Sequence, residues 1–341
     1  MPQQGRIVGI DVSKLKVNAC IRSLQLWLSK PSTPEGKREL IAWLRDNGAG
    51  LVVMEASGGY ERSWAEALRK GGVAVRIVDP KRVRYFAKSA ARLAKNDPID
   101  AEMIAWFAET FAAEVEPTHD PDRDTLDRLM MARRTLVWLS TQIRQLGEHR
   151  QPPVVENAQR TMIKAIKAQL AKLEAAIQAK IRANAPLATR AAIIQSVPGF
   201  GAQFVAGAIA WLPELGRISN KTAAALVGIA PYDDDSGEHR GERHIKGGRH
   251  EIRDLLYMAT LAAATRHNPV IQAYYQRLRA KGKKLKVALV ACMRKLIVIL
   301  NTMLARARCG TRPLPRQRSY DRPSPGAVGA RRRPHGWQPD R

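Results

Sequence analysis

From Leu126 to Ile181 the sequence carries no strand signal, and Ile163, Ile166, Leu170, Leu173, Ile177 and Ile181 recur at spacings of three and four. That is the period of a helix with one apolar stripe, as in a coiled coil or a helical hairpin. Gln151, Pro152 and Pro153 interrupt it, because proline removes a backbone donor and clashes with the preceding turn. Two helices are therefore expected, folded back on each other, zipped to another chain, or serving as a plain amphipathic spacer. Such a connector joins separately folded parts, and 341 residues exceed what one hydrophobic core usually serves.

On the N-terminal side, Ile7 to Ile10 is a short apolar run that ends at Asp11, and Lys16 to Leu28 holds two further strand-like stretches. Thr33, Pro34 and Glu35 form a helix start, an N-cap followed by proline at the first helical position, and Leu40, Ile41, Trp43 and Leu44 continue it. Leu51 to Met54 is a buried strand ending at Glu55, a helix follows from about Glu61, and Val73 to Val78 is another strand before more helix. Antiparallel strands first and helix-connected strands afterwards is the order of an RNase H-like domain, and several other α/β folds share it.

On the C-terminal side, Ala191 to Tyr257 reads as short helices with a glycine-rich loop, and a helix from about Leu285 to Leu304 closes the part. Val287 to Leu304 is apolar, but Arg294, Lys295 and Asn301 interrupt it, so it reads as a buried core helix and no membrane span is expected. Beyond it, Gly310 to Arg341 sets eight arginines among six prolines with almost nothing to build a core, a tail expected to be disordered and able to grip phosphates.

Lysine and arginine number 57 against 31 acids, a net charge of +26, far beyond what solubility requires. The partner is expected to be a polyanion. A membrane surface would call for an amphipathic basic helix or a lipidation signal, and the start MPQQGRIVGID has neither, which favours nucleic acid. Cys20, Cys292 and Cys309 form no CxxC pair, so neither a disulfide framework nor a zinc knuckle is indicated, and a reducing cytoplasm fits best.

Four acids stand where chemistry can use them: Asp11 and Glu55 at strand ends, and Asp97 with Asp100 opening a helix. Strand ends share one sheet edge and residues three apart share one helix face, so a single carboxylate cluster is feasible. Mg²⁺ ions held by these oxygens would relieve their repulsion, activate an attacking oxygen and neutralise the leaving oxygen of a phosphodiester. The alternative is structural: Asp97 before Pro98 is a good N-cap, Asp100 sits where a capping-box acid would, and Glu55 favours the next helix dipole.

A second candidate is Ser236, in a polar loop with His239, Arg240, Arg243, His244, Lys246 and Arg249. Cations stabilise an alkoxide and hold a phosphate, so this serine is placed to attack phosphorus; an ordinary Asp-Ser-Gly turn is the competing reading. SVPGFG at 196–201 before an apolar helix has the form of a helix-hairpin-helix turn offering backbone N–H groups to phosphate, or of a plain helix-helix turn. YYQRLRAKGKKLK at 274–286 combines aromatics with cations, either a solvated helix face or a grip on nucleic acid.

Taken together, VGIDVSK at 8–14, VMEASGGYE at 53–61 and KNDPIDAEMIA at 95–105 resemble the acidic motifs of the IS-one-ten family of insertion-sequence transposases, also called DEDD transposases. SVPGFG at 196–201, LVGIAPYDDDSG at 226–237 and KGGRHEIRDLLYMATLAA at 246–263 resemble that family's second domain in matching order, so the likeness runs from about Arg6 to Leu304.

The resemblance implies an α/β, RuvC-like (RNase H-like) nuclease domain over 1–120, a coiled-coil connector over 121–188 and a mainly α-helical transposase domain over 189–308, with the tail at 309–341 matching nothing in the family. It implies Asp11, Glu55, Asp97 and Asp100 as Mg²⁺ ligands and Ser236 as nucleophile in a DNA recombinase. It further implies a homo-tetramer in which one subunit's carboxylates meet another's serine, a non-coding bridge RNA that pairs with donor and target double-stranded DNA, and a bacterial cytoplasm with nucleoid association. Guide pairing would suit a chain rich in phosphate-gripping cations with only 6% aromatics and no familiar major-groove module. Two other functions stay open: a Holliday-junction nuclease using the same acids with metal-activated water, and a basic packaging protein in which the acids only cap helices.

Overall fold

The computed structural model describes residues 5–91, 97–111, 120–232, 235–236, 239–240 and 243–308, the side chains of 97, 98, 235, 236, 239, 240 and 308 excepted. The arginine- and proline-rich tail lies outside the described residues. The chain divides into two compact units, Met1–Thr118 and His119–Arg341.

The first unit is built on β1 (Arg6–Val12), β2 (Lys16–Ile21) and β3 (Leu26–Pro31), then α1 (Pro34–Asp46), β4 (Ala49–Glu55), α2 (Tyr60–Lys70), β5 (Val75–Val78), α3 (Pro80–Ser89) and α4 (Asp97–Thr110). The five strands form one mixed sheet in the order β3-β2-β1-β4-β5. The β1–β2 and β2–β3 pairs are antiparallel and the β1–β4 and β4–β5 pairs parallel, an arrangement compatible with an RNase H-like domain. Thr33 caps α1 as its sequence indicates, its side chain accepting from the Gly36 amide at 3.1 Å with proline in the first turn.

Alternation along the strands separates two cores. Val8, Ile10, Val12, Val52 and Met54 pack with Leu40, Leu44, Trp64 and Leu68, so the even-numbered positions of β1 and β4 face α1 and α2. Val53, with Ile7 and Leu51 at its side, packs against Ile104, Phe107 and Ala108, so the odd-numbered positions face α4. Gly9 lies in that second set, paired with Val53, and a Cβ there would overlap the Ala101 carbonyl oxygen and the Ala105 amide nitrogen. Helix α4 can lie directly on β1 because Gly9 has no side chain.

The second unit is almost entirely helical: α5 (Pro121–Leu146), α6 (Pro153–Ala183), α7 (Ala185–Gln195), α8 (Ala202–Trp211) and α9 (Asn220–Val227) precede four two-residue strands. After them come α10 (His250–Ala262), which runs into a π-turn at Ala263–His267, α11 (Pro269–Ala280) and α12 (Leu285–Arg308). Helices α5 and α6 run antiparallel within one chain: Lys180 Nζ stands 2.5 Å from Asp122 Oδ1 and Arg133 Nε is 2.8 Å from Glu174 Oε1. Asn184 finishes the turn at their base, capping α7 through the Leu187 amide and donating to Asp122 at 2.6 Å.

Helix α12 has the length and apolarity to cross a membrane, and half of that stretch is buried inside the protein. Leu289, Cys292, Met293, Leu296, Ile297, Leu300 and Leu304 join the main core with Phe204, Val205, Ile252 and Leu256. Asn301, buried within this apolar face, is satisfied by the Gly216 amide, the Ile218 carbonyl and the Asn220 side chain at 2.8 to 2.9 Å. A polar residue in mid-helix thereby ties α12 to the loop ahead of α9.

Candidate functional site

Parallel pairing of β1 with β4 runs through Ile10 and Met54, and the next residues are Asp11 and Glu55. Both are odd-numbered, so both belong to the α4 side of the sheet, on strands that in any sheet lie about 4.8 Å apart. The direction of α4 completes the arrangement. Its C-terminal residues Phe107 and Ala108 pack near Ile7 and Leu51 at the start of the strands, and Ala101 sits over Gly9, nearer their ends. The first turn of α4, with Asp97 and Asp100, therefore stands at the sheet edge where Asp11 and Glu55 stand. Asp97 is one turn before Ala101 and Asp100 one turn before Ile104, two residues that face the sheet.

Asp11, Glu55 and Asp100 thus share one edge of the first unit by strand register and helix phase, and the backbone of Asp97 opens the same helix. Asp11, Glu55 and Asp100 are each half-buried, and the side chain of Asp97 lies outside the described residues. Among the described residues no three His, Cys, Asp or Glu side chains are gathered tightly enough to hold a metal ion. The donor set itself, oxygen-only carboxylates at the C-terminal edge of a sheet, fits a hard divalent cation.

Three neighbours of this edge carry supporting roles that the sequence reading had not assigned. Asn18 is the cross-strand partner of Asp11 and is buried, a neutral amide on the same sheet face. Ser13 closes the hairpin between them, its hydroxyl donating to the Lys16 carbonyl at 2.8 Å. Glu61 is buried and accepts from the Ser57 amide and hydroxyl at 2.9 and 3.2 Å and from the Gly59 amide at 2.9 Å. Its carboxylate fixes the loop that follows Glu55, with Gly58 and Gly59 at φ of 69° and 105°. The pattern S-x-x-x-E after a strand was the available signal.

Ser236 lies in the second unit, in a short hairpin. Asp235–Ser236 pairs antiparallel with His239–Arg240, with Ser236 opposite His239, and the residues joining them lie outside the described residues. Pro231–Tyr232 pairs with His244–Ile245 at the base of the same loop. The base is rigidly built. Gly228 and Gly248, both at positive φ, are packed so closely that a Cβ on either would overlap the other's stretch of backbone, and Arg253 donates to the Gly228 and Gly247 carbonyls at 3.2 and 2.8 Å.

Arg249, one of the cations counted around the serine, proves to be a structural residue. Its guanidinium grips Glu214 and the Trp211 carbonyl and anchors the start of α10. Burial raises the Glu214 carboxyl, but the hydrogen bonds and charge of Arg249 outweigh it and hold Glu214 below the usual carboxylate range. Arg243, His244 and Lys246 are exposed.

The SVPGFG turn joins α7 to α8. Gly199, at φ 100°, lies against Ala263, and Asn268 donates to the Pro198 carbonyl at 3.2 Å, so packing on the π-turn explains its first glycine. In the basic run at 274–286, Arg277 stands over the Tyr274 ring at 5.2 Å, joined from α12 by Lys295 at 4.6 Å, and Lys281, Lys283, Lys284 and Lys286 are exposed.

Comparison with known proteins bears on both units. A family model described as a transposase, of the DEDD type from IS110, matches residues 8–149, and the model of the transposase IS116/IS110/IS902 family matches residues 191–276. The pilin gene-inverting protein of Moraxella lacunata is 26% identical over 317 residues, covering 88% of this chain and 96% of that protein. An uncharacterized 43.6 kDa protein of insertion element IS110 from Streptomyces coelicolor is 31% identical over 144 residues, 41% of this chain and 34% of its own. An uncharacterized 42 kDa protein of insertion element IS900 from Mycobacterium paratuberculosis is 31% identical over 151 residues, 42% of this chain and 35% of its own. A DEDD-type transposase domain implies a DNA substrate and a divalent-metal-dependent, nuclease-like active site. With both family models matched in order along the chain, the protein belongs to the IS110 family of insertion-sequence transposases and is a DNA recombinase.

Proposed function

We propose that this transposase exchanges DNA strands through a covalent serine-phosphodiester link, with Asp11, Glu55, Asp97 and Asp100 holding Mg²⁺ and Ser236 as nucleophile. The observation that carries the metal part is the register: Asp11 and Glu55 follow directly on the paired Ile10 and Met54, and the first turn of α4 is brought to the same edge by Gly9. When bound, the divalent ion would supply charge neutralisation to the phosphate oxygens and make an attacking hydroxyl easier to deprotonate.

The Ser236 hydroxyl attacks a DNA phosphorus, the Oγ–P bond forms, and the bond from phosphorus to one sugar oxygen breaks; that oxygen leaves with a proton. A free DNA hydroxyl then attacks the same phosphorus and gives up its proton, the new phosphodiester bond forms, the Oγ–P bond breaks, and Ser236 leaves with a proton as the free hydroxyl. One phosphodiester is exchanged for another, so the sequence of steps needs no outside energy source. The name of the Moraxella relative, a gene-inverting protein that aligns over nearly its whole length, supports strand exchange over simple hydrolysis.

The proposal divides the chain into a RuvC-like nuclease domain over 1–120, a connector over 121–188 and a serine-bearing domain over 189–308. The protein acts as a homo-tetramer in the cytoplasm at the nucleoid, one subunit's carboxylates serving another's Ser236, with a non-coding bridge RNA choosing donor and target DNA. The excess of cations and the lack of a base-reading module in the sequence support that delegation. The test is a recombination assay on Ser236→Ala, Asp11→Ala and Asp100→Asn, with trapping of a protein-DNA adduct. Loss of exchange in all three and of the adduct in Ser236→Ala is expected. Full exchange by the serine variant ends the covalent proposal, and cleavage without any adduct turns the reading to a junction nuclease.

A further inference from the structure

At the base of the Ser236 loop, where β6 (Pro231–Tyr232) and β9 (His244–Ile245) meet α10 and α12, an open cleft of about 660 Å³ lies wholly within the second unit. Its walls are apolar and aromatic: Ile229, Ile245, Val290, Met293, Tyr257 and Tyr274. Its rim is cationic, with Arg243, Lys286 and Arg294 among the lining residues and Asp254 as the acid. Asp254 is already neutralised, since Arg134 Nη2 stands 3.2 Å from its carboxylate.

The cations differ in what they are free to do. Arg253 is held by two backbone carbonyls. Lys286 and Arg294 are exposed and make no ion pair or hydrogen bond among the described residues. The rings differ in the same way. Tyr274 has Arg277 and Lys295 over it, whereas Tyr257 has neither ring nor cation partner among the described residues.

A cleft with an apolar floor, an uncommitted aromatic face and unspent positive charge at its mouth suits a flat, polarisable group attached to a phosphate. Its volume lies within the range of small-ligand sites, large enough for one nucleotide and too small for a stretch of duplex. We propose that the cleft takes one unstacked nucleotide of a bound nucleic-acid strand, its base against Tyr257 and between Val290 and Ile245, its phosphates against Lys286 and Arg294. The cleft thereby holds a strand beside the serine loop through a base that has left its helix. The inference rests on the nucleic-acid reading of the chain and not on the serine chemistry, so it survives or fails separately from Ser236.

The full chain is titrated with a short oligothymidylate and with an abasic strand of the same length and charge, in the absence of divalent metal so that no cleavage intervenes. The base-bearing strand is expected to bind about tenfold more tightly, a difference of the size one base stacked on an aromatic ring provides. Tyr257→Leu removes that preference and leaves abasic binding unchanged, Tyr257→Phe keeps it, and Lys286→Glu with Arg294→Glu weakens both strands alike. Equal affinity of the native protein for the two strands, or a preference that survives Tyr257→Leu, overturns the proposal. Should the leucine variant unfold, a strand carrying 4-thiothymidine is photo-crosslinked to the native chain. Adducts on the cleft lining support the proposal and adducts confined elsewhere overturn it. Oligouridylate run beside oligothymidylate shows whether the nucleotide belongs to RNA or to DNA.

Discussion

Arg249 holds Glu214 in a fork, with Nη1 and Nη2 at 2.8 and 2.6 Å from its two carboxylate oxygens, and Nη1 also donates to the Trp211 carbonyl at 2.6 Å. Two-pronged bonds of this kind are stronger and more directional than single ones. This pair locks the end of α8 to the start of α10, the frame from which the serine loop projects. Arg249→Gln is therefore expected to lower stability by about 1.5–3 kcal/mol, the range for hydrogen bonds to charged groups. Urea unfolding measures it. The slope of DNA affinity against salt should stay as in the native protein, because this cation is not available to phosphate.

The same pair gives the protein an acid limit. Glu214 sits below the usual carboxylate range in the folded chain, although burial alone would raise it, because Arg249 favours its charged form. Its contribution is complete above the ordinary carboxylate pKa of about 4.3 and is lost as pH falls through the lower folded-state value. Unfolding midpoints measured from pH 6 down to about pH 3 should fall less steeply in Glu214→Gln than in the native protein. Parallel curves would remove Glu214 from the acid response.

Gly9→Ala adds one methyl group where the Ala101 carbonyl and the Ala105 amide already lie. Overpacking of this kind costs about 1–3 kcal/mol, and the first turn of α4 has to give way. Because Asp97 and Asp100 ride on that turn, metal-dependent DNA cleavage should fall about a hundredfold, out of proportion to the stability change. Cleavage rate and urea unfolding on the same preparation make the comparison.

Cys20 and Cys292 are fully buried, and their thiols are pushed up to about 12 and about 11. For Cys20 desolvation leads, with the charges of Glu102 and Glu109 adding to it; for Cys292 desolvation outweighs Lys295. Thiolate is the reactive form, so iodoacetamide at neutral pH should leave both unmodified in the folded chain and modify both in urea. Peptide mass spectrometry reads the two sites; rapid native labelling of either would mean that its helix or strand opens readily.

Much of the first unit was legible because strand and helix signals there are local. Thr33 and Pro34 mark the start of α1, and the short continuous apolar runs before Asp11 and Glu55 mark strands whose pairing brings those acids side by side. Asp97 and Asp100 could be set on a helix from spacing, but their closeness to the other two depends on Gly9, a long-range contact that no local pattern carries. The breaks at Gln151, Pro152 and Pro153 announced two helices, while their antiparallel packing rests on pairs such as Arg133 with Glu174, some forty positions apart. Charge was the least informative signal. Arg249 reads like any neighbouring cation in the sequence, and only the fold reveals that it is spent on Glu214. Asn301 likewise looked like an interruption and is a tether.

The α5–α6 hairpin has a mechanical consequence. Helix α6 has 31 residues, and at 1.5 Å each that is a beam of about 46 Å. Its buried residues, Ile177 and Ile181, and the Asp122 contacts with Lys180 and Asn184 are at the root, while Trp138, Leu146, Val154 and Met162 stand exposed farther out. A cantilever clamped at one end magnifies movement. Tilting its root by only about 5° carries the far end through roughly 4 Å, about three-quarters of the rise of one helical turn.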